Sequence, residues 1–373
     1  MSGYPFTTHQ LDGCRSHSDP QAEAVLDQLS GHYRPDQVKT LFRHIQEYGR
    51  HPDVPEFLRT FIEEPGELPA WIDPQKLEKG RAVFRNFGRE IILALLCRSL
   101  PMCYICAHGA HVLTTTSRLI DIPKNPDYTR RLLETLQFVI NVSDHDITQA
   151  GGTGIITIRK VRLIHAAIRR FIHEKMEWDT GRFGVPVNQE DQLITMSGFG
   201  MEVVKALAKM GIHLGREDRD AWCHLWETTG FLLGIEEPLL PRDYESCCEM
   251  SDRILASQAR HSEDGLRLCL SCVEFMSGLL PHRLLYPFSY SVFKYLNDAP
   301  HLEIMGYHQR QWFWDWLMPR LLKSTLGIDQ RLERRSPLLK FLIRTINGWL
   351  IKGLSKTVMK NEKYFYLPDS LTQ

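Results

Sequence analysis

The chain has 373 residues, 43% of them hydrophobic, and its 45 Lys and Arg balance 45 Asp and Glu. That length allows one large or two ordinary domains with a substantial core, and the charge balance leaves no electrostatic footprint for nucleic acid or an anionic surface. The opening MSGYPFTTHQ lacks a basic start leading into an apolar run, which argues against a secretory signal. IILALLC at 91–97 is closed by Arg98, far short of the roughly 18 uncharged residues a membrane span needs. Nine cysteines, an odd count, describe no disulfide framework. A cytoplasmic chain without a membrane span is expected.

Helical periodicity dominates in chain order. Amphipathic segments at 22–49 and 54–63 precede LPAWIDPQKLEKG, whose prolines mark the start of a helix near 76–98. Further helical patterns run through 101–119, 127–142, 155–176, 199–211, 217–234, 243–260, 263–279, 283–296, 308–324 and 336–360, with Gly, Pro and Asn between them. No run alternates with period two for long, so the chain reads as all-α with at most a few short strands and no internal repeat. No low-complexity linker divides it. The expected organisation is an N-terminal helical extension over 1–64, a main domain over 65–300 and C-terminal helices over 301–373 packed on it. The segment 336–360 is basic and amphipathic, which suits a helix docked on the core or a peripheral membrane contact.

Chemistry concentrates in IITIRKVRLIHAAIRRFIHEKM, residues 155–176. At about 100° per residue, Ile158, Val161, Ile164, Ile168, Ile172 and Met176 fall on the side of His165, so the imidazole points into apolar surroundings. Arg162 and Arg169, three before and four after, stand at the edge of that stripe. A lone histidine in such a stripe is ordinarily a satisfied core residue; one rimmed by two cations also suits a flat, apolar ligand with an acidic end. In NPDYTRRLLETLQFVINV, Arg131 and Thr135 share a face with Phe138 and Val142, though a helical threonine often bonds only its own backbone. His224, between Trp222 and Trp226, reads as core. QAGGTGI at 149–155 lacks the GK[ST] of a phosphate loop and reads as a turn leading into a helix.

Five ordered stretches, LPAWID (68–73), TTTSRL (114–119), YTRRLLET (128–135), RKVRLIHAAIRR (159–170) and HLWETTGFLLGIEEPLLP (224–241), resemble latex clearing protein (rubber oxygenase) and the fungal oxygenase that cleaves the farnesyl chain in mycophenolic acid biosynthesis. The resemblance covers roughly residues 65–300. It implies a globin-like helical core holding haem b, with His165 as the proximal iron ligand and O₂ as co-substrate. Arg162 and Arg169 become candidates for the haem propionates, and Arg131 with Thr135 for the oxygen side of the pocket. Two positions depart from the latex clearing pattern. Glu134 stands where that family has a distal lysine, and Thr115 where it has a glutamate thought to act as a base. These departures leave haem binding intact but put polyisoprene cleavage in doubt. The expected activity is a haem-dependent oxygenase cleaving a C=C bond in a lipophilic, isoprenoid-like small molecule, with a non-catalytic haem sensor or carrier as the alternative.

A rival lies in REIILALLCRSLPMCYICAHGAH. Cys103 and Cys106 form a CxxC near Glu90, His108 and His111, which resembles the arrangement of helical alkyl hydroperoxidase D-like thiol peroxidases. Ala110, however, occupies the place expected for the histidine. Cys269 and Cys272 form a second pair, a candidate zinc half-site or simply buried small residues.

Overall fold

The computed structural model describes residues 3–34, 37, 54–116 and 126–326, apart from the side chains of 126–130 and 321–326. These residues are helical throughout, and the one extended pairing among them is the isolated bridge between Cys106 and Ala259. In chain order the helices are α1 (Thr8–Gly13), α2 (Pro20–His32), α3 (Glu56–Glu63), α4 (Pro74–Ala94), α5 (Leu100–Tyr104), α6 (Ala107–Thr115), α7 (Pro126–Asp144), α8 (Thr153–Lys175) and α9 (Thr180–Phe183). They continue as α10 (Gln189–Ser197), α11 (Val203–Lys209), α12 (Arg216–Leu232), α13 (Tyr244–Gln258), α14 (Glu263–Gly278), α15 (Tyr286–Leu296), α16 (Ala299–Ile304) and α17 (Trp312–Leu326).

The centre of the packing is α12, which carries the fully buried Trp222 and Trp226 and lies along α4. Gly80 makes that approach possible, because a Cβ there would stand 2.7 Å from the Ala221 carbonyl oxygen. The α4 start is set by Asp73, whose carboxylate accepts from the Gln75 amide at 2.8 Å, with Pro74 in the first turn.

Two π-helical turns shape the interior. Leu95–Ser99 joins α4 to α5, and Gly198–Glu202 joins α10 to α11. Each opens its helix by one residue, and such bulges often stand beside functional cavities. They face each other: the Ser99 hydroxyl donates to the Gly198 carbonyl at 2.7 Å, and the buried Arg98 Nε meets Glu202 at 2.5 Å. The single helix expected over 101–119 is broken at Ile105 and Cys106, where the Cys106 amide turns back to the Cys103 carbonyl. Likewise, the segment expected from 199 is the second half of a run that begins ten residues earlier, at Gln189.

The first helices pack on the same body. Ala22, Leu26 and Leu29 of α2 and Leu58 and Ile62 of α3 form a small core with Leu163 and Ala166 of α8, while α1 lies on α13. Asp19 caps α2 and also receives Arg162 of α8 through two hydrogen bonds, Nε at 2.6 Å and Nη2 at 2.8 Å. Gly234 (φ +96°) leaves room for that pair, since a Cβ there would lie 2.4 Å from Asp19 Oδ2. The QAGGTGI stretch is the turn into α8, with the Gly151 amide bonded to the Glu63 carbonyl at 2.8 Å. No helix among the described residues is long and apolar enough to cross a membrane. The basic segment 336–360 lies outside the described residues.

Candidate functional site

The helical frame encloses a cavity of about 310 Å³ walled by α5, α6, α7, α8, α10 and α12. Apolar side chains make most of the wall: Leu100 and Tyr104, Val112 and Leu113, Leu132 and Phe138, Val161, Ile164 and Ile168, and Trp226 stacked on Phe199 at 4.8 Å. Its size and lining suit an apolar ligand oriented by a few polar groups.

His165 is the histidine on this wall, reached from α8 with Val161, Ile164 and Ile168 around it. Burial, and then the charge of Arg169, pushes its pKa down to about 4, so the ring is neutral at physiological pH. Its Nδ1 is buried and has no hydrogen-bond partner. A neutral imidazole with an unsatisfied nitrogen in an apolar wall is the state a metal ligand requires. Gln192 lies on the same wall beside the ring, where its amide works against the lowering and favours the protonated imidazole.

The other predicted residues divide. Arg131 and Thr135 reach the cavity from α7, as does Glu134. The Thr135 hydroxyl donates to the Arg131 carbonyl at 3.0 Å, leaving its oxygen lone pairs for anything bound in the cavity. Thr115 does not line the wall; Thr116 does, its hydroxyl bonded to the Val112 carbonyl at 3.0 Å. Arg162 and Arg169 are not brought to the cavity. Arg162 is held by Asp19, and Arg169 Nε bonds Glu23 at 2.7 Å while Nη1 bonds the Val187 carbonyl at 3.0 Å. Stripe-edge geometry placed them correctly on α8, but the buried Asp19 and the half-buried Glu23 claim the two guanidinium groups. Their effect on His165 is to fix α8 and hence the bearing of the ring.

The residues that sequence reasoning missed sit on α10. Asp191, Gln192 and Thr195 line the cavity, and Glu190 is buried behind them. Burial raises Asp191 to about 7 and Glu190 to about 8. Glu190 accepts from Gln258 at 2.8 Å, and Asn188 Nδ2 donates to Asp191 at 3.0 Å. Asn188 followed by Asp191 is a readable helix start, because the Asn188 side chain also accepts the Asp191 amide at 2.9 Å. NQEDQ nevertheless looks like a solvated face, which hid its burial.

His224 lies in the core, its Nε2 accepting the Asp73 amide at 3.0 Å and its ring edge-on to Trp71. The CxxC thiols border the cavity without being activated: burial pushes Cys103 up to about 12 and Cys106 well above the ordinary thiol range. A thiol peroxidase needs a thiolate at neutral pH, so this environment opposes that chemistry. None of the nine cysteines forms a disulfide, and no group of three metal-ligating side chains occurs among the described residues, so Cys269 and Cys272 complete no zinc set there.

The described residues thus form an all-α body with a largely apolar chamber and one inward imidazole. Comparison gives the family. The catalytic-domain model described as ER-bound oxygenase mpaB/B'/Rubber oxygenase matches residues 106–324, and the chain belongs to that family. The rubber oxygenase of Streptomyces sp. (strain K30) is 22% identical over 219 residues, a match covering 57% of this chain and 51% of that protein. The chain thus matches about half of that relative's length. The structure of latex clearing protein in its closed state shares the fold, with a TM-score of 0.71, 19% identity, and coverage of 92% of this chain and 91% of that one.

Proposed function

We propose that this chain is a haem b-dependent oxygenase that cleaves a C=C bond of a lipophilic, isoprenoid-like small molecule with O₂, giving two carbonyl products. The observation that carries the proposal is the neutral His165 ring, its Nδ1 unpartnered, on the wall of an apolar chamber. The residues present fit a haem: His165 would hold its iron through a ring nitrogen, and Ile164, Ile168, Val161 and Phe138 would give apolar contact to the macrocycle. Haem, when bound, supplies the one-electron chemistry that makes O₂ reactive toward an alkene. The chain's own part is to bind and orient. The apolar wall takes up the alkene and excludes water, Arg131 offers a cation to developing negative charge, and the Thr135 oxygen accepts a hydrogen bond beside it. Asp191, raised to about 7, can hold or release a proton at the cavity wall near neutral pH. Nine cysteines that form no disulfide suit a reducing compartment such as the cytoplasm.

O₂ uptake with an isoprenoid alkene, measured on haem-loaded protein, tests this reading. Arg131→Ala and Thr135→Val are expected to retain haem and to lower turnover by roughly 10²-fold and 10-fold, the usual range for loss of a charged and a neutral electrostatic contact. Haem-loaded protein that consumes no O₂ with any alkene would favour the carrier or sensor alternative, and unchanged turnover in both variants would remove these residues from the reaction.

A further inference from the structure

A second cavity, of about 330 Å³, opens on another face, between α11, the first turn of α12, the start of α13 and the end of α15. Its lining is basic. Lys205 and Lys209 stand one turn apart on α11, Arg219 comes from α12, His213 follows α11, and Arg98 reaches up from the π-helical turn below. Asp298 is the carboxylate on the wall.

The charges do not balance. Arg98 and Lys205 share Glu202, at 2.5 and 3.2 Å, and Arg98 and Lys209 share Asp298, at 3.1 and 2.7 Å. Three cations therefore rest on two carboxylates. Arg219 meets only the half-exposed Glu245, at 3.4 Å, which lies outside the cavity lining. Its guanidinium is held over the Tyr244 ring at 4.7 Å, and its Nε is buried with no partner. Four cations face three carboxylates, of which Glu202 and Asp298 are each shared by two cations and Glu202 is buried. That excess of one positive charge, presented with an oriented guanidinium fork, suits the anionic oxygens of a phosphate group.

We propose that this basic cavity is a binding site for a phosphate group, contacted by Lys205, Lys209 and Arg219 over a floor anchored by Arg98. It is separate from the chamber that holds His165 and shares no lining residue with it. The proposal does not depend on haem.

The test uses the full chain and three probes: inorganic phosphate, pyrophosphate, and phosphatidylcholine vesicles containing phosphatidic acid. Binding is read by ³¹P line broadening and thermal shift for the soluble probes and by co-sedimentation for the vesicles, against chloride at matched ionic strength. Saturable binding of a soluble probe, weakened at least tenfold in Lys205→Gln/Arg219→Gln, is expected if the phosphate comes from a free metabolite. The same loss seen only with vesicles assigns it to a lipid headgroup. Absence of saturable binding to all three probes overturns the proposal, as does binding unchanged in the double variant. Circular dichroism on the double variant guards against loss by unfolding, and Lys79→Gln, which removes an exposed cation elsewhere, is expected to bind as the parent does.

Discussion

Arg162→Met is expected to lower the stability of the fold by about 3–5 kcal/mol, because it leaves the Asp19 carboxylate buried without its counter-charge. Asp19 is 3% exposed and gives both oxygens to Arg162, so water does not replace the missing guanidinium, and the nearby Arg159 and Arg169 are bonded to other partners. Gly234 closes over the pair with its Cα, which prevents the site from opening cheaply to solvent. Chemical denaturation of the variant and parent measures the difference. The exposed analogue is the control: Arg170 also pairs with an α2 carboxylate, Asp27, at 2.5 Å, but Asp27 is 76% exposed, and Arg170→Met is expected to cost under about 1 kcal/mol. In Asp19→Leu/Arg162→Met much of the loss should return, since removing both charges removes the desolvation penalty along with the attraction. Equal, small effects at Arg162 and Arg170 would contradict the account of how α8 is fixed.

Stability is also expected to fall as pH rises from about 6.5 to 8. Asp191 and Glu190 carry folded-state values raised to about 7 and about 8 from 3.8 and 4.5, and burial raises Glu227 as well. In this window the unfolded chain has released those protons while the native chain still holds part of them. The unfolded state therefore binds fewer protons, and the stability slope is negative. Each proton held only by the native state contributes a slope of about 1.4 kcal/mol per pH unit, so a decline of roughly 2 kcal/mol across the window is expected. Below 6.5 the sign is opposed: His165, His108 and His224 are each lowered to about 4 by burial, stay neutral in the native state, and favour folding as pH rises from 4 to 6.5. Denaturation midpoints at pH 6.5 and 8 for the parent and for Asp191→Asn/Glu190→Gln check this. The double variant should show a flatter decline; a parent whose stability rises across the window would contradict the buried, protonated state of the α10 acids.

The helices of this fold were legible wherever a single apolar stripe decided burial. The α8 stripe is the clearest case, with Ile158, Ile168 and Ile172 inside and His165 among them, and α12, α13 and α14 appear within a few residues of their expected bounds. What local periodicity does not carry is tertiary competition for polar groups. Arg162 and Arg169 have the spacing to serve a ligand beside His165, yet Asp19 and Glu23, more than 140 residues earlier, hold them. The α10 segment shows the converse. Its Glu190, Asp191 and Gln192 look solvated but pack against α5, α12 and α13, and burial turns ordinary carboxyls into groups that titrate near neutrality. The break at Ile105 and Cys106 was invisible for a related reason: no Gly or Pro marks it, and it is stabilised from outside by the Arg260 amide bonding the Ile105 carbonyl at 3.1 Å.

The most direct test of the central claim is the optical spectrum of the purified, haem-reconstituted protein, as the ferric form, reduced, and reduced with carbon monoxide, beside His165→Ala. The account predicts a Soret band that shifts on reduction and on carbon monoxide binding in the parent and is lost, with the bound haem, in His165→Ala. A parent that takes up no haem, or a His165→Ala variant with the parent's spectrum and haem content, would contradict it.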